Sequence, residues 1–250
     1  MESKQIIINE SIISYTTAGR GDHSLIFLHG WRSNKEAWLP VAHLMEQSGY
    51  RLIFIDLPGF GASEAPKQPH TLHDYAETVR LFREKLDMKV HAVIGHSAGA
   101  RIAAKLAAEH PDFMEKLVLV ASGGARPTFV GIKATLAKIA KPFFAPRFMT
   151  PLRKKLYAWI GAEDYLATPE LQKTFVNIIN ENLDPLLAQI KTDTLVIWGD
   201  KDETAPITYG THITKLIPNA QLEIIEGAGH YCFSEQPEEF VNLISKFIAS

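Results

Sequence analysis

The sequence predicts an α/β fold: a mostly parallel, twisted sheet covered by helices on both faces, with a helical cap inserted between two strands. Three observations point there. Short apolar runs at 24–28, 51–55 and 194–198 alternate with stretches of helical periodicity, the pattern of strands buried on both faces. Gly95-His96-Ser97-Ala98-Gly99 stands between the apolar run 90–94 and an alanine-rich run, the strand–turn–helix context of a nucleophile elbow. Acid and base candidates follow the serine, each just past a strand, so one sheet edge would carry all three.

In chain order, residues 5–9 and 12–17 are β-branched runs separated by polar residues, an antiparallel opening pair. The strand 24–28 ends at His29-Gly30-Trp31, and a helix over 35–47 is stopped by Gly49. The strand 51–55 runs into the turn-rich loop Asp56-Leu57-Pro58-Gly59-Phe60-Gly61-Ala62-Ser63. Thr71-Leu72-His73-Asp74 is a capping box that opens a helix to Leu86. The elbow strand and its helix, closed by His110-Pro111, precede a strand over 116–121 that Ser122-Gly123-Gly124 breaks. The alternation resumes with a strand over 194–198, a helix over 206–217, a strand over 222–225 and a closing helix over 237–248.

This places an α/β core in residues 1–122 and 186–250 and a cap in 123–185, whose periodicity is helical throughout. An insertion between two strands can cover the carboxyl ends at which such sheets bind ligands. Between Arg126 and Lys155 the cap carries Lys133, Lys138, Lys141, Arg147, Arg153 and Lys154 with no acidic residue. Phe129, Ile132, Leu136 and Ile139 fall on one helical arc, so the lysines read as its solvated face.

Composition narrows the class. The chain has 250 residues, 46% of them hydrophobic, enough for a full core and against disorder. A net charge of −2 gives no reason to expect nucleic acid as a partner. The single cysteine, Cys232, excludes an internal disulfide framework. Met1-Glu2-Ser3-Lys4-Gln5 lacks a signal-peptide pattern and no apolar run is long enough to cross a bilayer, so a cytoplasmic protein is expected.

A serine hydroxyl becomes a useful nucleophile when a base takes its proton and an acid holds that base in the right tautomer. Ser97 sits at the amino end of a helix, where free N–H groups favour a developing oxyanion. The acid lies in Leu195-Val196-Ile197-Trp198-Gly199-Asp200-Lys201-Asp202, which offers two aspartates, and the base is His230 in Gly227-Ala228-Gly229-His230.

Taken together, the His-Gly motif, the Asp-x-Pro-Gly-x-Gly-x-Ser loop, the Gly-His-Ser-x-Gly elbow, the Trp-Gly-x-x-Asp segment and the Gly-x-Gly-His terminus resemble an α/β-hydrolase-fold serine hydrolase. The likeness is to esterase- and lipase-like members with a helical cap, and it runs over nearly the whole chain. It implies Ser97 as nucleophile, Asp202 as acid and His230 as base; the Gly-x-x-Asp spacing favours Asp202 over Asp200. It places the oxyanion donors on the backbone N–H groups of Trp31 and Ala98. His29, Phe129, Phe143 and Tyr231 are the substrate-binding candidates, His29 by shaping the oxyanion loop. His96 should point away from the site as a structural residue, Cys232 should be packed, and Arg101 should join a structural ion pair.

Serine at the elbow argues against the aspartate chemistry of dehalogenases and epoxide hydrolases. The expected reaction is hydrolysis of small or medium acyl esters through an acyl-enzyme. Alternatives are C–C bond or thioester cleavage by the same residues, or a binding protein with little turnover. No cofactor and no metal are expected, because no histidine pair has metal-ligand spacing. The partner is a small-molecule ester, with no nucleic acid and no integral membrane, and the oligomeric state stays open between monomer and homodimer.

Overall fold

In the computed structural model, which describes residues 1–123 and 167–250, the apolar runs become strands. These are β1 (Glu2–Ile8), β2 (Ser11–Ala18), β3 (His23–Leu28), β4 (Arg51–Ile55), β5 (Lys89–His96), β6 (Lys116–Val120), β7 (Asp193–Gly199) and β8 (Ala220–Ile225). They join in one sheet in the order β1-β2-β4-β3-β5-β6-β7-β8. β2 runs antiparallel to both β1 and β4, and every pairing from β4 through β8 is parallel. Strands β3 to β7 are buried almost end to end, because helices cover both faces.

The described α-helices are α1 (Leu39–Met45), α2 (Leu72–Lys85), α3 (Ala98–Glu109), α4 (Gln172–Asn180), α5 (Asp184–Leu187), α6 (Thr208–Leu216), α7 (Cys232–Glu235) and α8 (Pro237–Ile248). The capping box forms as predicted: Asp74 N–H donates to Thr71 Oγ1 and Thr71 N–H to Asp74 Oδ2. The helix predicted over 35–47 is instead a 3-10 turn, Lys35–Trp38, followed by α1. Pro40 explains the split. It has no N–H to return to Glu36, so the run starts as a tighter turn and becomes α-helical from Leu39. Trp38, fully buried, then packs against Phe27 and Phe233 in tilted ring contacts at centroid distances of 5.3 and 4.0 Å.

Of the predicted cap, residues 167–185 are described. They hold a 3-10 turn at Pro169–Leu171, α4 and the first residues of α5. α5 runs across the expected boundary at 185, because Leu187 and Ile190 are buried with the core. α4 is tied to the loop ahead of α2: His70 N–H donates to Thr174 Oγ1 at 3.0 Å and Asn177 Nδ2 to the His70 carbonyl at 3.1 Å. Residues 124–166, and with them Phe129, Phe143 and the basic run 126–155, lie outside the described residues. No described helix is long and apolar enough to cross a membrane.

The chain runs from β3 outward to β4 and returns to β5 on the other side of β3. The carboxyl ends of β3 and β5 thus diverge at a topological switch point, the place where open α/β sheets bind ligands. The loop after β3 carries His29 to Trp31, and the loop after β5 is the elbow.

Candidate active site

Ser97 is the single residue between β5 and α3, with φ 51° and ψ −111°. A positive φ in a residue with a Cβ costs on the order of 1 kcal/mol or more, so the surroundings must hold it. They do: Ser97 N–H donates to the Val120 carbonyl at 2.9 Å, and the Ser97 carbonyl accepts from Arg101 N–H at 3.2 Å. The two motif glycines are required by close approach. A Cβ on Gly95 would sit 2.4 Å from the Gly99 carbonyl oxygen, and one on Gly99 only 2.3 Å from that of Leu28. Ser97 therefore stands at the amino end of α3, where the Ala98 N–H has no intrahelical partner to meet.

The loop after β3 lies directly over this turn, for a Cβ on Gly30 would be 3.4 Å from Ser97 Cβ. His29 shapes it. Leu57 N–H donates to His29 Nε2 at 3.0 Å, so that nitrogen is unprotonated and Nδ1–H donates to the Gly30 carbonyl at 2.8 Å. Ser33 N–H binds the same carbonyl at 3.2 Å. In a trans peptide the C=O and the next N–H point in opposite directions. Pinning the Gly30 carbonyl back thus turns the Trp31 N–H the other way. His29 itself is buried with both ring nitrogens engaged by backbone, so of the two parts of its expectation, binding substrate and shaping the loop, its bonds serve the second. Beneath the same loop, buried Asp56 pairs with Lys35 Nζ and accepts from Lys35 and Ala62 N–H. Burial pushes its carboxyl up, but the two N–H donors and the ammonium outweigh that and hold it below the usual range.

Asp202 and His230 come together. His230 Nδ1 lies 2.7 Å from Asp202 Oδ2, and the Asp202 side chain is fully buried. The other carboxylate oxygen accepts from Thr204 and Ala205 N–H, both at 2.8 Å. Asp200, the alternative acid, is engaged elsewhere, accepting from Gly227 N–H at 2.6 Å and pairing with Lys201. Trp198, sequence-visible only as part of a motif, has a physical task. Its Nε1–H donates to the Ala205 carbonyl at 2.7 Å and so closes the loop whose N–H groups hold Asp202.

His96 does not point away. Its ring lies against those of His230 and Tyr231, at centroid distances of 4.8 and 5.0 Å, and Nε2–H donates to the His230 carbonyl at 2.9 Å. The residue beside the serine thereby holds the backbone of the base. The expectation failed because the loop after β8 folds back over the end of β5, a placement no local pattern announces. Tyr231 stands half-exposed on the rim beside His230. Cys232 is fully buried, which pushes its thiol up to about 12 and leaves it unreactive.

Two supporting residues, Glu235 and Phe175, were missed in the sequence. Glu235 brackets the base, accepting from Gly229 N–H at 2.6 Å and from Tyr231 N–H at 3.1 Å. Its only signal was a glutamate five positions after His230. Phe175, on α4, packs against the Trp31 ring at 5.1 Å, and Phe60 does so at 4.8 Å. Arg101, expected as a structural residue in an ion pair, is nearly fully buried and caps α4: Nη2 donates to the Ile178 and Glu181 carbonyls at 2.8 and 2.7 Å, and Nη1 to the Gly123 carbonyl at 2.9 Å. A cation there satisfies carbonyls that a helix end leaves orphaned.

Burial lowers the imidazole of His29 to about 4 and that of His96 to about 3, the latter helped by neighbouring His230. The unfolded chain takes up protons below about 6.5 that the folded rings refuse, so stability contributed above 6.5 is lost as pH falls towards 4. Each ring adds a slope of up to about 1.4 kcal/mol per pH unit. Urea unfolding should show the midpoint falling between about pH 7 and pH 5; a flat profile would contradict the neutral burial of both rings.

A model of the alpha/beta hydrolase family matches residues 25–243. The chain belongs to that family. It is 26% identical to a 2-hydroxy-6-oxononadienedioate/2-hydroxy-6-oxononatrienedioate hydrolase of Pseudomonas sp over 264 residues, covering 97% of this chain and 93% of the relative. Among solved structures, a bacterial membrane phospholipase A matches with a TM-score of 0.79 at 25% identity, covering 99% of this chain and 86% of the other. An esterase from Exiguobacterium antarcticum matches with a TM-score of 0.78 at 22% identity over 100% of both chains, a likeness of fold alone.

Proposed function

We propose that this hydrolase cleaves carboxylic esters of small or medium acyl chains through an acyl-enzyme on Ser97. The observation that carries the reading is the Asp202–His230 pair. A carboxylate on Nδ1 keeps the proton there and leaves Nε2 as the base. Nε2 takes the Ser97 proton as Oγ attacks the ester carbonyl, then returns it to the departing alcohol. Water, activated by the same nitrogen, attacks the acyl carbon and frees Ser97. The Trp31 and Ala98 N–H groups receive the oxyanion in both halves. One such donor is typically worth about 10²–10³ in turnover. Tyr231, on the rim beside the base, and Phe175, behind Trp31, would border the acyl group. The function needs no cofactor, and the cap reading of 123–185 belongs to the same proposal.

Cleavage of a C–C bond beside a carbonyl is the second reading, favoured by the likeness to the Pseudomonas dioate hydrolase. Such a substrate brings carboxylates that ask for a cation. Arg101 follows the elbow closely, but its Nη1 and Nη2 groups face backbone carbonyls. Among the described residues, this favours the ester. The two are separated by comparing kcat/KM on p-nitrophenyl acetate, butyrate and octanoate with that on a 2-hydroxy-6-oxo-dienedioate. The ester reading expects one of the first three to lead by at least about tenfold, roughly 1.4 kcal/mol in transition-state binding. A lead of that size for the dioate would overturn it in favour of the second.

A further inference from the structure

The sequence shows no histidine pair at metal-ligand spacing, yet the fold assembles one. His23 opens β3, His91 lies in β5, and Glu115 immediately precedes β6. These three are neighbours at the amino ends of parallel strands, the sheet edge opposite to Ser97. One ligand atom from each lies within 4.8 Å of the other two. His91 Nδ1 is 2.9 Å from Glu115 Oε2, and His23 Nδ1 is 3.9 Å from Glu115 Oε1.

From this cluster we propose a binding site for a divalent transition-metal ion of the zinc class, held by His23, His91 and Glu115. The decisive feature is the second nitrogen of His91. Nε2 lies 2.8 Å from the Ile248 carbonyl, an acceptor only, so Nε2 must carry the proton and donate. Nδ1 then turns its lone pair on the Glu115 carboxylate. This sets an imidazole nitrogen and a carboxylate oxygen 2.9 Å apart, facing one another at one point of the sheet edge. A ligating imidazole whose other N–H is fixed on a backbone carbonyl is the usual outer support of such sites. Tyr50 stacks flat on His91 at 5.2 Å and restrains the ring further.

The geometry suits the ion. Ligands about 2.1 Å from a tetrahedral zinc stand roughly 3.4 Å from one another; His91 Nδ1 is 2.9 Å from Glu115 Oε2 and His23 Nδ1 is 3.9 Å from Oε1, so small side-chain shifts reach that spacing. His23 and Glu115 have side chains 48% and 60% exposed, so both can adjust while water completes the coordination. Two imidazoles and one carboxylate suit zinc, nickel or copper rather than magnesium or calcium, which prefer oxygen alone. A bound ion would tie β3, β5 and the start of β6 together and, through Ile248, reach the end of α8. Its role would be structural, since it sits away from the catalytic edge.

The test is calorimetric titration of zinc chloride into the full chain, purified without a histidine tag and stripped with a chelator. One zinc per chain should bind in the micromolar range, and both His23→Gln and Glu115→Gln should weaken it by at least about tenfold. Both positions are exposed, so the variants should keep the wild-type far-UV spectrum and the same ester turnover. Zinc should also raise the melting temperature of the wild type, and at the same concentration raise that of either variant less. Absence of saturable zinc binding by the wild type would overturn the proposal. So would binding of equal strength in both variants, which would put the ion elsewhere.

Discussion

Ser97→Ala is expected to lower ester turnover by about six orders of magnitude, the usual loss when the serine of such a unit is removed. The fold should be unaffected. The elbow is held by backbone bonds, from Ser97 N–H to the Val120 carbonyl and from Arg101 N–H to the Ser97 carbonyl, and alanine keeps both. The hydroxyl itself caps nothing in α3. Some rate above that of water should remain, because the oxyanion donors proposed at Trp31 and Ala98 are backbone groups that the substitution leaves in place. Turnover of p-nitrophenyl butyrate by the purified, folded variant checks this. A rate near that of the wild type would place the chemistry away from the elbow and end the acyl-enzyme mechanism.

Asp202→Asn should reduce turnover by about ten-thousand-fold, as in the serine-protease triad, while Asp200→Asn changes it only a few-fold. The asymmetry follows from the bonds each carboxylate makes. Asp202 Oδ1 is claimed by Thr204 and Ala205 N–H, so an asparagine oxygen will take that position and its NH2 will face His230 Nδ1. Nδ1 must then accept, the proton moves to Nε2, and the base can no longer receive one from Ser97. Asp200 serves only a surface turn through Gly227 N–H and Lys201. Measured kcat values for both variants on one ester decide the matter. Equal losses, or the larger loss at Asp200, would reverse the assignment of the acid.

Much of this could be read locally. The capping box at Thr71 and Asp74 forms because four consecutive residues can satisfy one another without help. The closing helix occupies 237–248 as expected, since Pro237 suits a first helical position and the apolar residues recur at helical spacing. The helix over 35–47 was legible in extent but not in kind: periodicity reports the buried face, whereas Pro40 decides the hydrogen bonding.

The sequence by itself determined the α/β order, the elbow at Ser97 and the candidates for acid and base, because these depend on residue types within a few positions of a strand end. Only the tertiary structure decided that Asp202 and not Asp200 reaches His230, since neighbouring residues leave a turn in different directions. It also decided that His96 supports the loop of the base, that Glu235 brackets that loop, and that Arg101 caps α4. The same holds for His23, His91 and Glu115, which lie far apart in the chain and meet at one sheet edge. In a parallel sheet each strand returns after a long crossover, so side chains adjacent at a strand end are necessarily distant in sequence. A serine and its flanking glycines announce themselves by spacing, but partners brought together by crossovers carry no spacing to read.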